Sequence, residues 1–129
     1  MTQAPLAPRL GLALLGVGLL LAKHWFRGPL AGVVYSYGGN VAASFAVYFI
    51  VAIAASRHGF SRIATAAAAL LAVEAFELTD GFGFMTNVFD PADLLANLVG
   101  IAAALALDLA VARRSREAET AVADRQRAP

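Results

Sequence analysis

Long uncharged segments constrain this chain more than any other feature of its sequence. Residues 28–56 contain no charged side chain, and shorter uncharged segments occupy residues 10–22, 63–73 and 94–107. A helix that spans a bilayer needs about 20 mainly apolar residues. The three shorter segments reach that length if each helix continues past charged residues that face protein or the membrane interface. The spacing therefore predicts an integral membrane protein.

The composition supports the same conclusion. Of 129 residues, 60% are hydrophobic and 15% are charged, whereas soluble domains average about 45–50% and about 25%. A soluble bundle is disfavoured because a chain this small has nothing else with which to surround four apolar helices. A net charge of +1 gives no basic field for nucleic acid, and the lack of cysteine excludes disulfides and thiolate metal sites.

We predict an all-α fold, an integral membrane bundle of four transmembrane helices. The helices are expected at roughly 9–26, 39–56, 61–79 and 92–113. They form one domain over residues 1–112, and residues 113–129 form a charged cytoplasmic tail that is expected to be a frayed helix or disordered. No small-residue cleavage site follows the first segment, so we expect it to remain in the protein as a helix.

The basic residues predict the orientation. Those expected near the helix ends on the side shared by both termini are Arg9, Arg57, Arg62, Arg113, Arg114 and Arg116. The opposite side holds Lys23 and Arg27 in the first loop, and its other loop carries Asp80 and Asp90 instead. The positive-inside rule therefore predicts that both termini are cytoplasmic, in a multi-pass protein of the bacterial inner membrane.

Acidic and amide side chains occupy positions in or beside the predicted spans. Glu74 and Glu77 are three residues apart, so they lie one turn apart on one face of helix three. Asp93, Asn97 and Gly100 form a similar stripe on helix four. A carboxylate at mid-bilayer costs about 2.5–3.5 kcal/mol on the insertion scale, and such residues usually face a cavity or a partner.

The short connection between helices three and four predicts that they are antiparallel neighbours. Glu74 or Glu77 should then lie near Asp93 or Asn97. Asp90, which precedes a proline, has the position of an N-cap for helix four.

Each of these residues also has a structural interpretation. Asn97 can bond across helices, Gly100 can allow close helix approach, and Asp90 can act only as a cap. No motif for a hydrolase, a zinc protease, a nucleotide or a dinucleotide is present. The sequence therefore gives little support for an enzyme and predicts no cofactor. It leaves open whether the carboxylates hold a divalent metal.

The second half of the chain resembles the VanZ-like family of small bacterial membrane proteins. The resemblance covers roughly residues 38–110 and is carried by a glutamate-bearing helix followed by Asp-x-x-Asp-x-x-x-Asn-x-x-Gly over 90–100. Glu77 stands where the family usually has glutamine, and Asn40 opens helix two as a polar residue does in the family. The family's link to glycopeptide resistance implies a cell-envelope setting.

The leading functional hypothesis is a membrane protein that binds a polar or lipid-linked ligand at the outer leaflet. The predicted ligand-binding residues are Asn40, Glu74, Glu77, Asp90, Asp93 and Asn97. The alternative is a structural accessory subunit whose alanine-rich and glycine-rich helices pack against a larger membrane complex or a second copy of the chain. A metal-dependent enzyme is the weakest of the three hypotheses. Membrane lipids are the expected partners in each case.

Overall fold

The computed structural model describes residues 6–79, 83 and 90–127. Within these residues the fold is all-helical, with no strand. The helices are α1 (Leu6–Ala22), α2 (Ala31–Ser36), α3 (Gly38–Ser56), α4 (Arg62–Leu78) and α5 (Pro91–Arg127), and a single 3-10 turn (Lys23–Trp25) follows α1.

Helix α3 is the centre of the bundle. Helices α1, α4 and α5 all pack against it, and α4 also packs against α5. The largest fully buried apolar side chains, Tyr48 and Phe49, both come from α3. Around them the core consists largely of alanines from the other helices, including Ala13, Ala66 and Ala104. Small residues at these positions allow the helix backbones to approach closely, as is typical of helices that pack in membranes.

Gly100 is required by this close packing. A Cβ atom at Gly100 of α5 would collide with the carbonyl oxygen of Val41 and would lie 2.9 Å from Cβ of Ser44, both on α3. Gly100 therefore sets the distance between α3 and α5, and it does so on the same face of α5 as Asn97.

Many exposed side chains on the helices are large and apolar, as a lipid environment favours. Leu14, Leu71 and Leu95 are 63%, 71% and 62% exposed, whereas several polar side chains are buried. Three segments are long and apolar enough to cross a membrane: Leu6–Trp25, Gly38–Ser56 and Pro91–Arg127. Helix α4 has 17 residues, which gives it a length of about 25 Å against a hydrocarbon thickness of about 30 Å. The all-helical, membrane-type fold predicted from the sequence is confirmed, while a fourth span remains a prediction.

Two element boundaries differ from the prediction in an informative way. Helix α5 continues without a break through the predicted tail to Arg127, so it is 37 residues long, or about 55 Å. Its charged last turns, which contain both signs, support a solvated helix. Between α1 and α3, in the region predicted only as the first loop, the chain forms the short helix α2.

Candidate functional site

Ser44, Glu74 and Asn97 form a polar group between α3, α4 and α5, and we call it the Asn97 group. Asn97 is 4% exposed, and its Oδ1 accepts a hydrogen bond of 2.7 Å from the Ser44 hydroxyl group. The same hydroxyl group contacts the backbone carbonyl oxygen of Asn40. Because Asn97 is held from the α3 side, its orientation in the bundle is fixed.

Glu74 approaches Asn97 from α4. The Asn97 side chain is close enough to hydrogen-bond the Glu74 carboxyl group. However, Oε2 of Glu74 is buried and has no hydrogen-bond partner among the described residues. The predicted proximity of helices three and four at Glu74 and Asn97 is therefore confirmed. An unpaired buried oxygen beside a fixed amide is an acceptor position that no donor among the described residues fills.

Asp90 is fully engaged at the beginning of α5. Its Oδ1 accepts from the backbone N–H of Ala92 at 2.9 Å, so it is an N-cap as predicted. Its Oδ2 accepts from the Tyr37 hydroxyl group at 3.2 Å. The charge of Asp90, and then its hydrogen bond, raises the pKa of Tyr37 above the usual value for tyrosine, with a smaller contribution from Asp93. Asp90 thus ties the α2–α3 junction to α5.

The remaining predicted residues lie at the same end of the bundle. Asp93 is half-buried in the first turn of α5, and Glu77 is half-buried on α4, one turn beyond Glu74. Asn40 is half-buried in the first turn of α3, where its backbone carbonyl contacts Ser44. Asp80, which the sequence placed in the outward loop, lies outside the described residues. Among the described residues, no cluster of three or more acidic or histidine side chains is arranged to hold a metal ion.

A second polar cluster was not predicted as a site. Asp108 of α5 is 1% exposed and accepts from Nε of Arg62 at 2.8 Å and from Nε of Arg9 at 3.0 Å. Arg9 Nε contacts Oδ1 of Asp108, and Arg62 Nε contacts Oδ2. A second nitrogen of Arg9 donates to Oδ2 at 3.1 Å, and the Tyr48 hydroxyl group donates to Oδ2 at 3.2 Å. A third nitrogen of Arg9 donates to the carbonyl oxygen of Ala52. We call Arg9, Tyr48, Arg62 and Asp108 the Asp108 cluster.

The Asp108 cluster joins all four long helices, because its members come from α1, α3, α4 and α5. In the sequence, Asp108 lies inside the predicted helix 92–113, and Arg9 and Arg62 are expected near the helix ends. In the structure both arginines turn into the bundle. The signal that identifies the cluster in the sequence is one carboxylate in an apolar helix, with two arginines expected at the same end of the bundle.

The two polar groups lie at different depths. Asn97 and Asp108 are eleven positions apart on α5, which corresponds to about 16 Å along the helix. The Asp108 cluster contains two cations and one anion that pair with each other, which is an arrangement suited to holding helices together. The Asn97 group contains one acid, and one buried oxygen of this acid has no partner among the described residues, which is an arrangement suited to binding a hydrogen-bond donor.

Comparison of the chain with protein-family models, with curated proteins and with solved structures gave no match.

Proposed function

We propose that this chain is a VanZ-like, four-span protein of the bacterial inner membrane that binds a polar or lipid-linked ligand of the cell envelope at the outer leaflet. Glu74 and Asn97 form the centre of the proposed site. The observation that carries the proposal is the buried Oε2 atom of Glu74, which has no partner among the described residues.

The chemistry of this atom favours a ligand with a hydroxyl or amino donor. A buried polar atom without a hydrogen bond costs about 1–3 kcal/mol, and more if it is charged. A donor from the ligand would remove that cost, while the Ser44 hydroxyl group keeps the neighbouring amide of Asn97 in place. Sugars and amino sugars of lipid-linked envelope precursors have such donors.

The other predicted residues support binding at the same end of the bundle. Asp93 lies one turn before Asn97 on α5, and Glu77 lies one turn after Glu74 on α4. Asp90 has a positioning role in this proposal, because both of its carboxylate oxygens already accept hydrogen bonds within the protein.

The proposed orientation rests on the basic residues that remain at the surface. With Arg9 and Arg62 engaged by Asp108, the side that holds both termini still has Arg57, Arg113, Arg114 and Arg116, against Lys23 and Arg27 on the other side. This bias continues to favour cytoplasmic termini. Helix α4 completes the fourth span in this proposal, with local thinning of the bilayer accommodating its shorter length.

The binding proposal is tested by the lipids and small molecules that copurify with the protein in mild detergent. We expect Glu74→Gln to retain at least tenfold less of the bound molecule than the wild type, because a hydrogen bond to a charged group contributes about 1.5–3 kcal/mol. Glu119→Gln, on an exposed turn of α5, is the control. If mass spectrometry of the extracts finds the same molecules in equal amounts in all three proteins, the site is wrong. Recovery of all three within the same larger protein complex, without a bound small molecule, would favour the accessory-subunit alternative.

The orientation is tested with single cysteines, since the chain has none of its own. Ser36 and Thr120 are both exposed, and both are close to cysteine in size. In intact cells with a permeable outer membrane, we expect an impermeant thiol reagent to label Ser36→Cys and to leave Thr120→Cys unlabelled until the cells are lysed. The opposite pattern would reverse the proposed topology.

A further inference from the structure

An apolar groove separates the end of α1 from α2 and the first turns of α3. Its volume is about 370 Å³, and apolar side chains line it, among them Leu19, Phe26, Val41 and Phe45. Lys23 is the one charged residue in its lining. We call this feature the Lys23 groove. It is separate from the Asn97 group, since none of Ser44, Glu74 and Asn97 lines it.

The Lys23 ammonium group lies beside the carbonyl oxygen and the ring of Tyr35 in this groove. Its Nζ lies 3.5 Å from the carbonyl oxygen of Tyr35 and 5.4 Å from the centre of the Tyr35 ring. It also packs directly against Gly39, where an added Cβ atom would collide with it. Gly39 therefore provides the space that the ammonium group occupies.

Lys23 has no acidic partner among the residues that the structure describes, because both salt bridges formed there belong to Asp108. An ammonium group has three N–H donors, and the long contact with Tyr35 engages at most one of them. At least two donors remain for an anion, and a strongly hydrated cation next to an apolar groove favours an anion that carries its own apolar group.

The exposed aromatic residues indicate the depth of the groove in the bilayer. Trp25, Phe26 and Tyr35 surround the Lys23 end and are 74%, 45% and 60% exposed. Tryptophan and tyrosine concentrate at the level of the lipid headgroups. The ammonium group is thus at phosphate level, and the apolar wall that continues along Leu19 and Phe45 is at the level of the acyl chains.

We propose that the Lys23 groove is a binding site for one anionic phospholipid, with an acyl chain in the groove and the headgroup phosphate against Lys23. The charge complementarity with Lys23 selects a headgroup of net negative charge. The apolar lining excludes a polar peptide, and it makes free phosphate a poor ligand because free phosphate leaves the groove unfilled. The site is independent of the function proposed for Glu74 and of which leaflet contains this end of the bundle.

Trp25 is the only tryptophan of the chain and adjoins Lys23, so its fluorescence reports on this site. The full-length protein is reconstituted in phosphatidylcholine vesicles that contain equal mole fractions of brominated phosphatidylglycerol or brominated phosphatidylcholine. We expect the anionic lipid to compete for the site about fivefold better, since one lysine near a membrane surface contributes about 1 kcal/mol to binding of anionic lipid. Equal quenching by the two lipids would overturn the proposal.

Three variants and a soluble competitor sharpen this result. Lys23→Gln should abolish the preference, whereas Arg27→Gln, which removes a nearby charge that does not line the groove, should preserve it. Gly39→Ala should reduce the preference with the charge intact, because the added methyl group displaces the ammonium group; this variant keeps the test decisive if Lys23→Gln does not fold. Equal effects of Lys23→Gln and Arg27→Gln, or loss of the preference in excess glycerol phosphate, would contradict a lipid site at Lys23.

Discussion

Two carboxylates inside this bundle, Asp108 and Glu74, differ in how many of their oxygens accept hydrogen bonds. The carboxylate of Asp108 accepts hydrogen bonds from two guanidinium groups and a tyrosine hydroxyl group. Glu74 has one oxygen that is buried without a partner among the described residues. The Asp108 carboxylate has a structural role, because both of its oxygens already accept hydrogen bonds within the protein. On Glu74, the described residues leave one acceptor position unfilled, so the same type of chemical group serves structure at one end of the bundle and is a candidate for binding at the other.

The largest expected effect is on stability and comes from Asp108. Asp108→Leu leaves Arg9 and Arg62 in the bundle without their anion, and breaking a buried ion pair in this way costs about 3–5 kcal/mol. We expect the variant to unfold at a much lower denaturant concentration in detergent, or to fail to accumulate. Asp124→Leu, on an exposed turn of α5, is the control and should behave as the wild type does. An Asp108→Leu protein with normal stability would show that the cluster does not hold the helices together.

A smaller loss of stability is expected from a substitution at Gly100, which lies on α5 between Asn97 and Asp108. Gly100→Ala pushes α5 away from Val41 and Ser44, and overpacking of this kind costs about 1–3 kcal/mol. Gly18→Ala is a matched control, because a Cβ atom there has no neighbour within 4 Å. Thermal unfolding of the two variants should differ by several degrees. Equal melting temperatures would mean that α3 and α5 are not in close contact at Gly100.

The hydrogen bond between Tyr37 and Asp90 predicts a modest dependence of stability on pH. The pKa of Tyr37 is raised in the folded protein, chiefly by the charge of Asp90. The stabilisation is therefore complete below the usual tyrosine pKa of about 10 and is lost as the pH rises from there through the raised value. Tyr37→Phe removes this titration. If the unfolding free energies of wild type and variant run parallel above pH 10, the hydrogen bond does not contribute.

The smallest change in stability is expected for Glu74→Gln, and this variant tests the comparison most directly. The amide is nearly isosteric with the carboxyl group and remains beside Asn97, so we expect the melting temperature to change little while the bound molecule is lost. Glu74→Leu should insert into the membrane as well as the wild type or better. The gain in insertion free energy is at most the cost of an acid at mid-bilayer, which is about 2.5–3.5 kcal/mol. If the Glu74→Leu protein is abundant and retains its copurifying molecule, Glu74 is not part of the binding site.

The sequence predicted the helices better than it predicted the contacts between them. A long segment without charged residues can lie in the hydrocarbon region of a bilayer, so the apolar parts of α1, α3 and α5 were recognisable from the sequence. The proximity of Glu74 and Asn97 was also predictable, because a short connection makes consecutive helices neighbours. The Asp108 cluster was missed because it joins Arg9 to a residue 99 positions away, and no local pattern reports which faces of distant helices meet. The length of α5 was missed because a polar helix lacks the hydrophobic period that identifies a buried one.

The separation of Arg9 and Asp108 along the chain has a consequence for biosynthesis. Arg9 is synthesised 99 residues before its partner, Asp108. Until α5 arrives, Arg9 and Arg62 must remain in contact with water or lipid headgroups, because a guanidinium group without an anion is costly in the hydrocarbon region. We therefore expect docking of α5, which supplies the Asp108 carboxylate, to be the step that allows both guanidinium groups to enter the bundle.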